Sequence, residues 1–326
     1  MSAADAAGGD VHAGALPGGA DSAGDGCSAA GFAAAVSAAA VSGANLSVTE
    51  RPVAGGLVDV LVPTCDRPAA LAVTLGALAA ASGPPIRILV SDQSEAAPSF
   101  DAPEVRAVLR YLGARGIPVT TCRHLPRRGM AEQRAFLLAQ ARAPWCLFLD
   151  DDVIVEPDLV ARLHAAIVEQ GCGFVGSAVH GLSFLGQLRP AQEQIEFWDG
   201  GVQPETVRPG TPAWARHHLH SAANLFHVQS RLRDGGTRLY RVAWIGGCVL
   251  FDTAKLRAAG GFDFWRQLPD AHCGEDVLAQ LRVMERYGGC GILPSGAYHM
   301  ELPTTVTRRE VDAPHFLLGP ERERTG

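Results

Sequence analysis

The sequence is nearly without lysine: Lys255 is the only one among 28 basic residues, and the rest are arginine. With a net charge of -6 and no Lys/Arg block longer than a few residues, the electrostatic footprint of a nucleic-acid binder is missing. The lone lysine lies outside any G-x-x-x-x-G-K-[ST] string, which removes the phosphate loop an NTPase needs. No G-x-G-x-x-G stands between a predicted strand and the helix after it, as a dinucleotide dehydrogenase requires. The eight cysteines include no C-x-x-C pair, and several sit inside apolar runs as small hydrophobes, which suits a reducing compartment. No stretch approaches the roughly 18 apolar residues of a spanning helix, and no basic segment precedes an apolar core at the N-terminus. A cytoplasmic protein is expected, with room for peripheral membrane contact only. Large side chains are almost absent from residues 1–48, so that arm is expected to be disordered, since it can bury too little to offset its ordering entropy.

What is present is organised around one stretch. Trp145 to Leu149 are five consecutive non-polar residues that read as a strand buried on both faces, and the run ends in Asp150-Asp151-Asp152. Three adjacent carboxylates repel one another unless positive charge lies among them. In extended geometry Asp150 and Asp152 point the same way and Asp151 the other, so the outer two can converge on one cation. Carboxylate oxygens suit Mg²⁺ or Mn²⁺, which leave coordination positions for phosphate. Helix capping by an Asp explains one such residue, not three.

Around this stretch, strands and helices alternate. A β-branched run ends at Pro63, Pro68 opens an Ala/Leu helix, and a second strand covers residues 86–91. A helix over residues 103–115, a strand near Val119 and a helix over residues 131–141 lead back to Trp145. The pattern predicts an α/β fold on a mainly parallel, right-handed βαβ sheet flanked by helices, with the strand ends carrying the ligand site along one edge. Further on come an amphipathic helix over residues 157–170, a strand at residues 173–176, one across residues 242–252 and a last at residues 291–293. Residues 181–241 lose periodicity, and a stretch of that kind is usually a binding loop. The expected division is a first half over residues 55–180, a second half over residues 181–318, and a mobile tail over residues 319–326.

Taken together, Val60-Leu61-Val62-Pro63-Thr64-Cys65-Asp66-Arg67-Pro68, Val90-Ser91-Asp92-Gln93-Ser94, Gly129 with Arg134, Leu149-Asp150-Asp151-Asp152, Gly246-Gly247, Gly260-Gly261-Phe262-Asp263 and Gly274-Glu275-Asp276 resemble the GT-A glycosyltransferases, most of all glycosyltransferase family 2. The resemblance runs over residues 57–300. It implies a nucleotide-diphospho-sugar transferase fold and a nucleoside-diphosphate sugar as donor, with residues 55–180 the nucleotide-sugar donor-binding half and residues 181–318 the acceptor-binding and catalytic half. Pro63, Thr64, Asp66 and Arg67 would then line the nucleotide pocket, and Asp92 would accept from the base. Arg134 would neutralise diphosphate charge, with Asp150 and Asp151 beside the donor. Asp150 and Asp152, as a D-x-D pair, would hold Mn²⁺ or Mg²⁺, and His299 would be a third ligand, a place His272 or His315 could take instead. Asp276, with Glu275 beside it, would be the general base, taking the proton of an acceptor hydroxyl as the anomeric carbon is attacked. One base and no partner nucleophile imply inversion. The acceptor hydroxyl is not identified by the sequence; a glycan, a lipid-linked glycan or a small molecule is expected, in polysaccharide or glycoconjugate assembly. A metal-dependent nucleotidyltransferase and a non-catalytic sugar-nucleotide or glycan-binding module are the competing readings. The histidines at 217, 218 and 220 lack zinc-site spacing and are expected in a solvated or acceptor-binding loop.

Overall fold

The computed structural model describes residues 57–232 and 236–319. The expected disordered arm lies outside those residues, as does all but the first residue of the expected tail. In order, the first part of the chain forms β1 (Val58–Thr64), α1 (Pro68–Leu78), β2 (Ile86–Asp92), α2 (Pro103–Ala114), β3 (Val119–Arg123), α3 (Met130–Gln140), β4 (Trp145–Leu149), β5 (Val153–Val155), α4 (Leu159–Gln170) and β6 (Phe174–Gly176). There follow α5 (Leu225–Gln229), β7 (Arg238–Tyr240), β8 (Cys248–Asp252), α6 (Thr253–Ala258), β9 (His272–Cys273), α7 (Glu275–Tyr287), β10 (Gly289–Leu293), β11 (Ala297–His299), β12 (Val311–Asp312) and α8 (Ala313–Leu318). The apparently aperiodic region contains 3-10 turns at Leu182–Phe184, Pro190–Glu193 and Pro212–Leu219, besides the single-turn α5 and the short β7.

Eight strands form one sheet in the order β3-β2-β1-β4-β8-β6-β10-β7. The period-2 alternation of its strands divides the apolar residues between two cores. Val58, Val60 and Val62 of β1, Leu147 and Leu149 of β4 and Leu250 of β8 face α1, α2 and α4. Leu61, Phe148 and Phe251 face the other way, with side chains from α3, α6 and α7. The result is helix, sheet, helix, as the alternating pattern predicts.

The sheet departs from that prediction in direction. β1, β2, β3 and β4 pair in parallel, but β8 runs antiparallel to both β4 and β6, and β7 antiparallel to β10. The expected strand over residues 242–252 begins only at Cys248. These differences serve the site. Because β8 is reversed, its start meets the end of β4, with Cys248 opposite Leu149 and the Asp150 N–H donating to Gly247 O at 2.9 Å. A parallel β8 would have carried Gly246 and Gly247 to the far edge. The carboxyl ends of β1 and β2 align as well, Thr64 opposite Asp92, so three loops and one reversed strand end share one edge.

One buried charge organises the opposite end. Asp59, fully buried in β1, accepts from Arg87 Nε at 2.8 Å and Nη2 at 2.7 Å, and from the amides of Arg142 and Ala143 at 2.6 and 2.9 Å. Asp59→Ala strips the buried Ala143 N–H of its acceptor and removes two hydrogen bonds from the Arg87 guanidinium. It is expected to lower the unfolding free energy by about 3 kcal/mol, read as a lower urea midpoint at unchanged slope. No described helix is long and apolar enough to cross a membrane, and the seven described cysteines are free.

Candidate active site

A cleft of about 440 Å³ opens on the shared edge. Pro63 and Thr64 at the end of β1, with Cys65 and Arg67 after it, enter its wall, Gln93 follows β2, and Asp150, Asp151 and Asp152 follow β4. Arg127, Met130, Gln133 and Arg134 reach it from around α3, and Glu275, Asp276 and Val277 from the first turn of α7. His220, Trp244 and Gly246 close one side, and Leu302, Thr304, Thr305, Val306 and Arg309 another. Most of the residues singled out in the sequence therefore meet, although more than 200 positions separate the first from the last.

The three aspartates are shared between two arginines. Asp151 turns inward, accepting from Thr64 Oγ1 at 2.6 Å and Arg67 Nη1 at 3.3 Å, and its carbonyl accepts from Thr74 Oγ1 at 2.8 Å. Burial pushes its carboxyl up to about 6; the Thr64 hydroxyl and Arg67 pull it down, while Asp152 and Asp150 add to the rise. Asp152 takes the shorter contact from Arg67 Nη1, 2.6 Å. Asp150 accepts from Arg134 Nη2 at 3.0 Å and keeps about a third of its side chain exposed, 36%.

Arg134 is buried and bridges two elements, donating through Nε to Glu275 Oε1 at 3.0 Å as well as to Asp150. It does not pair with its neighbour Glu132, which binds His124 instead. Burial disfavours its charge, but Asp150, Glu275 and Asp276 outweigh that and hold its pKa above the usual arginine value. Two glycines with positive φ place these helices. Gly129 (φ 87) precedes α3 where a Cβ would run into His272, and Gly274 (φ 74) precedes α7 against the Pro314 ring. Asp276 opens into the cleft from that first turn. Burial and the adjacent Glu275 raise its carboxyl to about 7, Arg134 holds it down, and Asp150 adds to the rise.

Other expected residues lie differently. Asp66, at φ 55, is exposed outside the cleft wall, and its amide donates to Ser94 Oγ at 2.8 Å. Asp92 is fully buried and shapes its own loop, accepting from the amides of Ser94 at 2.7 Å and Ser99. His272 is structural: its Nδ1 meets Pro269 O at 2.7 Å, so Nε2 is the acceptor that caps α3 by taking the Ala131 N–H at 3.0 Å. His315 pairs with Asp312 and packs edge-on to Trp214. The 3-10 turn Pro212–Leu219 carries His217 and His218 and leads into His220; the rings of His217 and His220 stack near Trp244 rather than converging on a common point.

The fit to a divalent cation is uneven. Asp150 and Asp152 are hard oxygen donors in the cleft wall, and Asp150 uses one of its two oxygens, which suits Mg²⁺ or Mn²⁺. His299 does not fit as it stands. Its Nδ1 accepts the Glu301 amide at 2.7 Å, so the neutral ring carries its proton on Nε2, 3.7 Å from Asp152 Oδ2, and offers no lone pair there. Among the described residues no group of three His, Cys, Asp or Glu is set to hold a metal.

Several cleft residues had no signal in the sequence. Arg127, Arg309, Gln133 and the segment from Leu302 to Val306 reach the wall only through tertiary contacts, such as Arg127 Nη2 to Thr305 O at 3.1 Å and Arg67 Nη2 to Pro303 O.

The cleft lies at the carboxyl edge of the α/β sheet, where such folds bind their ligands, and its arginines suit a phosphate-bearing one. A family model described as Glycosyl transferase family 2 matches residues 59–230, more than half of the chain. The chain belongs to that family and has the GT-A-type fold. No curated relative matches. Among solved structures the chain is similar to S. aureus TarS 1-349, at 14% identity over 74% of this chain and 60% of that one, with a TM-score of 0.48. The same protein in complex with UDP-GlcNAc gives 12%, 76%, 59% and 0.49. The mannosyltransferase PcManGT from Pyrobaculum calidifontis, in complex with GDP-Man and Mn2+, gives 16%, 75%, 59% and 0.44. The chain thus spans about three fifths of each of these.

Proposed function

We propose that the protein transfers a sugar from a nucleoside-diphosphate donor to an acceptor hydroxyl with inversion, Asp276 acting as the base. The observation that carries this is the placement of Asp276: a carboxylate raised to about 7, open to the cleft, with the buried Arg134–Glu275 pair behind it. A base titrating near neutral pH takes a proton most effectively there. As the acceptor oxygen bonds to the anomeric carbon, Asp276 takes its proton, and the bond from that carbon to the diphosphate oxygen breaks. Arg134, held by Glu275 and Asp150, and Arg67, held by Asp151 and Asp152, lie where charge develops on the leaving diphosphate. Glu275 is thereby a positioning residue, since its carboxylate is buried and committed to Arg134. A divalent cation held by Asp150 and Asp152 would supply further neutralisation of that diphosphate. Pro63 and Thr64 at the end of β1 line the nucleotide side.

Two measurements test this reading. Proton NMR of the freshly formed product should show the anomeric configuration opposite to that of the donor; retention overturns the single-base scheme. Calorimetric titration of UDP and GDP, with and without Mn²⁺, should show binding strengthened by the cation at least tenfold in the parent and lost from Asp152→Asn. Cation-independent binding that the substitution leaves unchanged removes Asp152 from the metal site.

A further inference from the structure

One side of the cleft differs from the rest in carrying no charge. Arginines and acids line the others, whereas His220, Trp244 and Gly246 present two aromatic rings and a glycine. Both aromatic residues are partly exposed. The His220 ring lies within 29° of parallel to that of Trp244, with centroids 5.6 Å apart, and Trp214 packs against Trp244 at 4.9 Å. His220 is uncharged near neutral pH, because burial pushes its pKa below the usual histidine value. Its Nδ1 donates to His217 O at 2.7 Å, which makes Nε2 the acceptor of the ring.

Hydrogen bonds tie this side to the element that bears Asp276. Gln280, fully buried one turn further along α7, grips the backbone between Trp244 and Gly246. Its Nε2 donates to Ile245 O at 2.8 Å, and its Oε1 accepts the Ile245 N–H at 2.8 Å. The same Nε2 donates to Asp276 O at 3.2 Å. The Gly246 N–H in turn donates to His220 O at 3.1 Å. Asp276, Trp244 and His220 are thus held in a fixed relation before any ligand arrives, which is what orienting an attacking hydroxyl beside its base requires.

We infer that Trp244 and His220 form the acceptor subsite and that the acceptor is a neutral pyranoside, its ring laid against the aromatic wall and one hydroxyl donating to His220 Nε2. A pyranose face is a set of C–H groups that pack against the electron-rich face of an aromatic ring, while hydroxyl donors stand around its rim. A wall of aromatic rings with a lone pair at its edge matches both features at once. An anionic acceptor would meet the carboxylates of Asp276 and Asp150 with no cation on this side to offset them. An alkyl or aryl alcohol has a single hydroxyl, which it must give to Asp276, and leaves the His220 lone pair unanswered. This assignment rests on the glycosyl-transfer reading of the cleft.

The test is proton NMR of the full chain with the methyl pyranosides of glucose, galactose, mannose and N-acetylglucosamine, and with benzyl alcohol as control, in the presence of Mn²⁺ and either UDP or GDP. Saturation transferred from the protein should reach the ring C–H protons of at least one pyranoside, more strongly on one face than on the other. Titration should show that pyranoside binding about tenfold or more tightly than benzyl alcohol. Trp244→Leu should weaken the binding about tenfold or more, and Trp244→Phe, which restores a ring, about threefold at most. His220→Phe keeps a ring, removes the lone pair and should cost about threefold or more. Each variant is first shown folded by its thermal transition, and each should bind UDP or GDP within about threefold of the parent by calorimetry. The assignment is overturned if no pyranoside binds the folded parent, if benzyl alcohol binds as tightly as the best pyranoside, or if neither Trp244→Leu nor His220→Phe weakens the binding; nucleotide binding would still leave the cleft a donor site. Failure of UDP and GDP to bind the folded parent overturns the glycosyl-transfer reading and the acceptor assignment with it.

Discussion

Asp276→Asn should lower kcat by at least a thousandfold while the dissociation constant for UDP or GDP changes less than threefold. The amide keeps the shape and most hydrogen bonds of the side chain but cannot take a proton from an attacking hydroxyl, and general base catalysis accounts for about 10²–10⁴ in rate. The diphosphate side of the cleft, with Arg67, Arg134 and the three aspartates, is left as it was. The same assignment fixes a pH dependence. The active form is the carboxylate, and burial beside Glu275 raises its pKa to about 7. In the parent, kcat/KM is expected to fall about tenfold per unit as the pH drops below that value and to level off above it, because protonation removes the base. Residual Asp276→Asn activity should lack this limb. A variant as active as the parent, or one that retains the limb, takes the base role away from Asp276.

Arg134→Met should be the most destabilising single change in the cleft, lowering the unfolding free energy by about 3–5 kcal/mol. Methionine fills much of the stem volume but leaves Glu275 buried with no cation, at a place where Arg134 Nε now stands 3.0 Å from its Oε1. Asp150 loses a partner too, but it is more exposed, and water screens it better. The cycle with Glu275→Leu separates the causes. If the unpaired buried carboxylate dominates, the double variant recovers a substantial part of the loss in urea denaturation. If Glu275→Leu adds its own full cost to that of Arg134→Met, the two residues are not coupled and the bridge from α3 to α7 is not what holds them. Donor binding should weaken in the single variant even where it is folded, since Arg134 lies on the diphosphate side.

The sequence was most legible where local periodicity and chemistry coincide. Trp145 to Asp152 reads as a buried strand ending in acid, and β4 is that strand, with the three aspartates in the cleft. The turn residue Pro68 announced the start of α1, because a ring-fixed φ is a local requirement. Legibility failed wherever a residue's role depends on a partner far along the chain. His299 matched a ligand position by order alone, yet a single backbone hydrogen bond from Glu301 decides which ring nitrogen carries the proton. Asp92 and Gln93 are neighbours at the end of one strand. Only the packing of the Ser94–Ser99 loop shows that the carboxylate is committed and the amide is not.

By itself, the sequence determined the alternation of strands and helices, the apolar division of the sheet into two faces, and the run of carboxylates at a strand end. These follow from φ/ψ preferences and hydrophobic period, which act over a few residues. Tertiary structure alone decided that β8 is inserted antiparallel beside β4, that Arg67 and Arg134 divide the aspartates between them, and that the segment after His299 joins the cleft wall. Strand direction, ion pairing and the route of an irregular segment depend on groups dozens to hundreds of residues apart, and no local pattern encodes that distance.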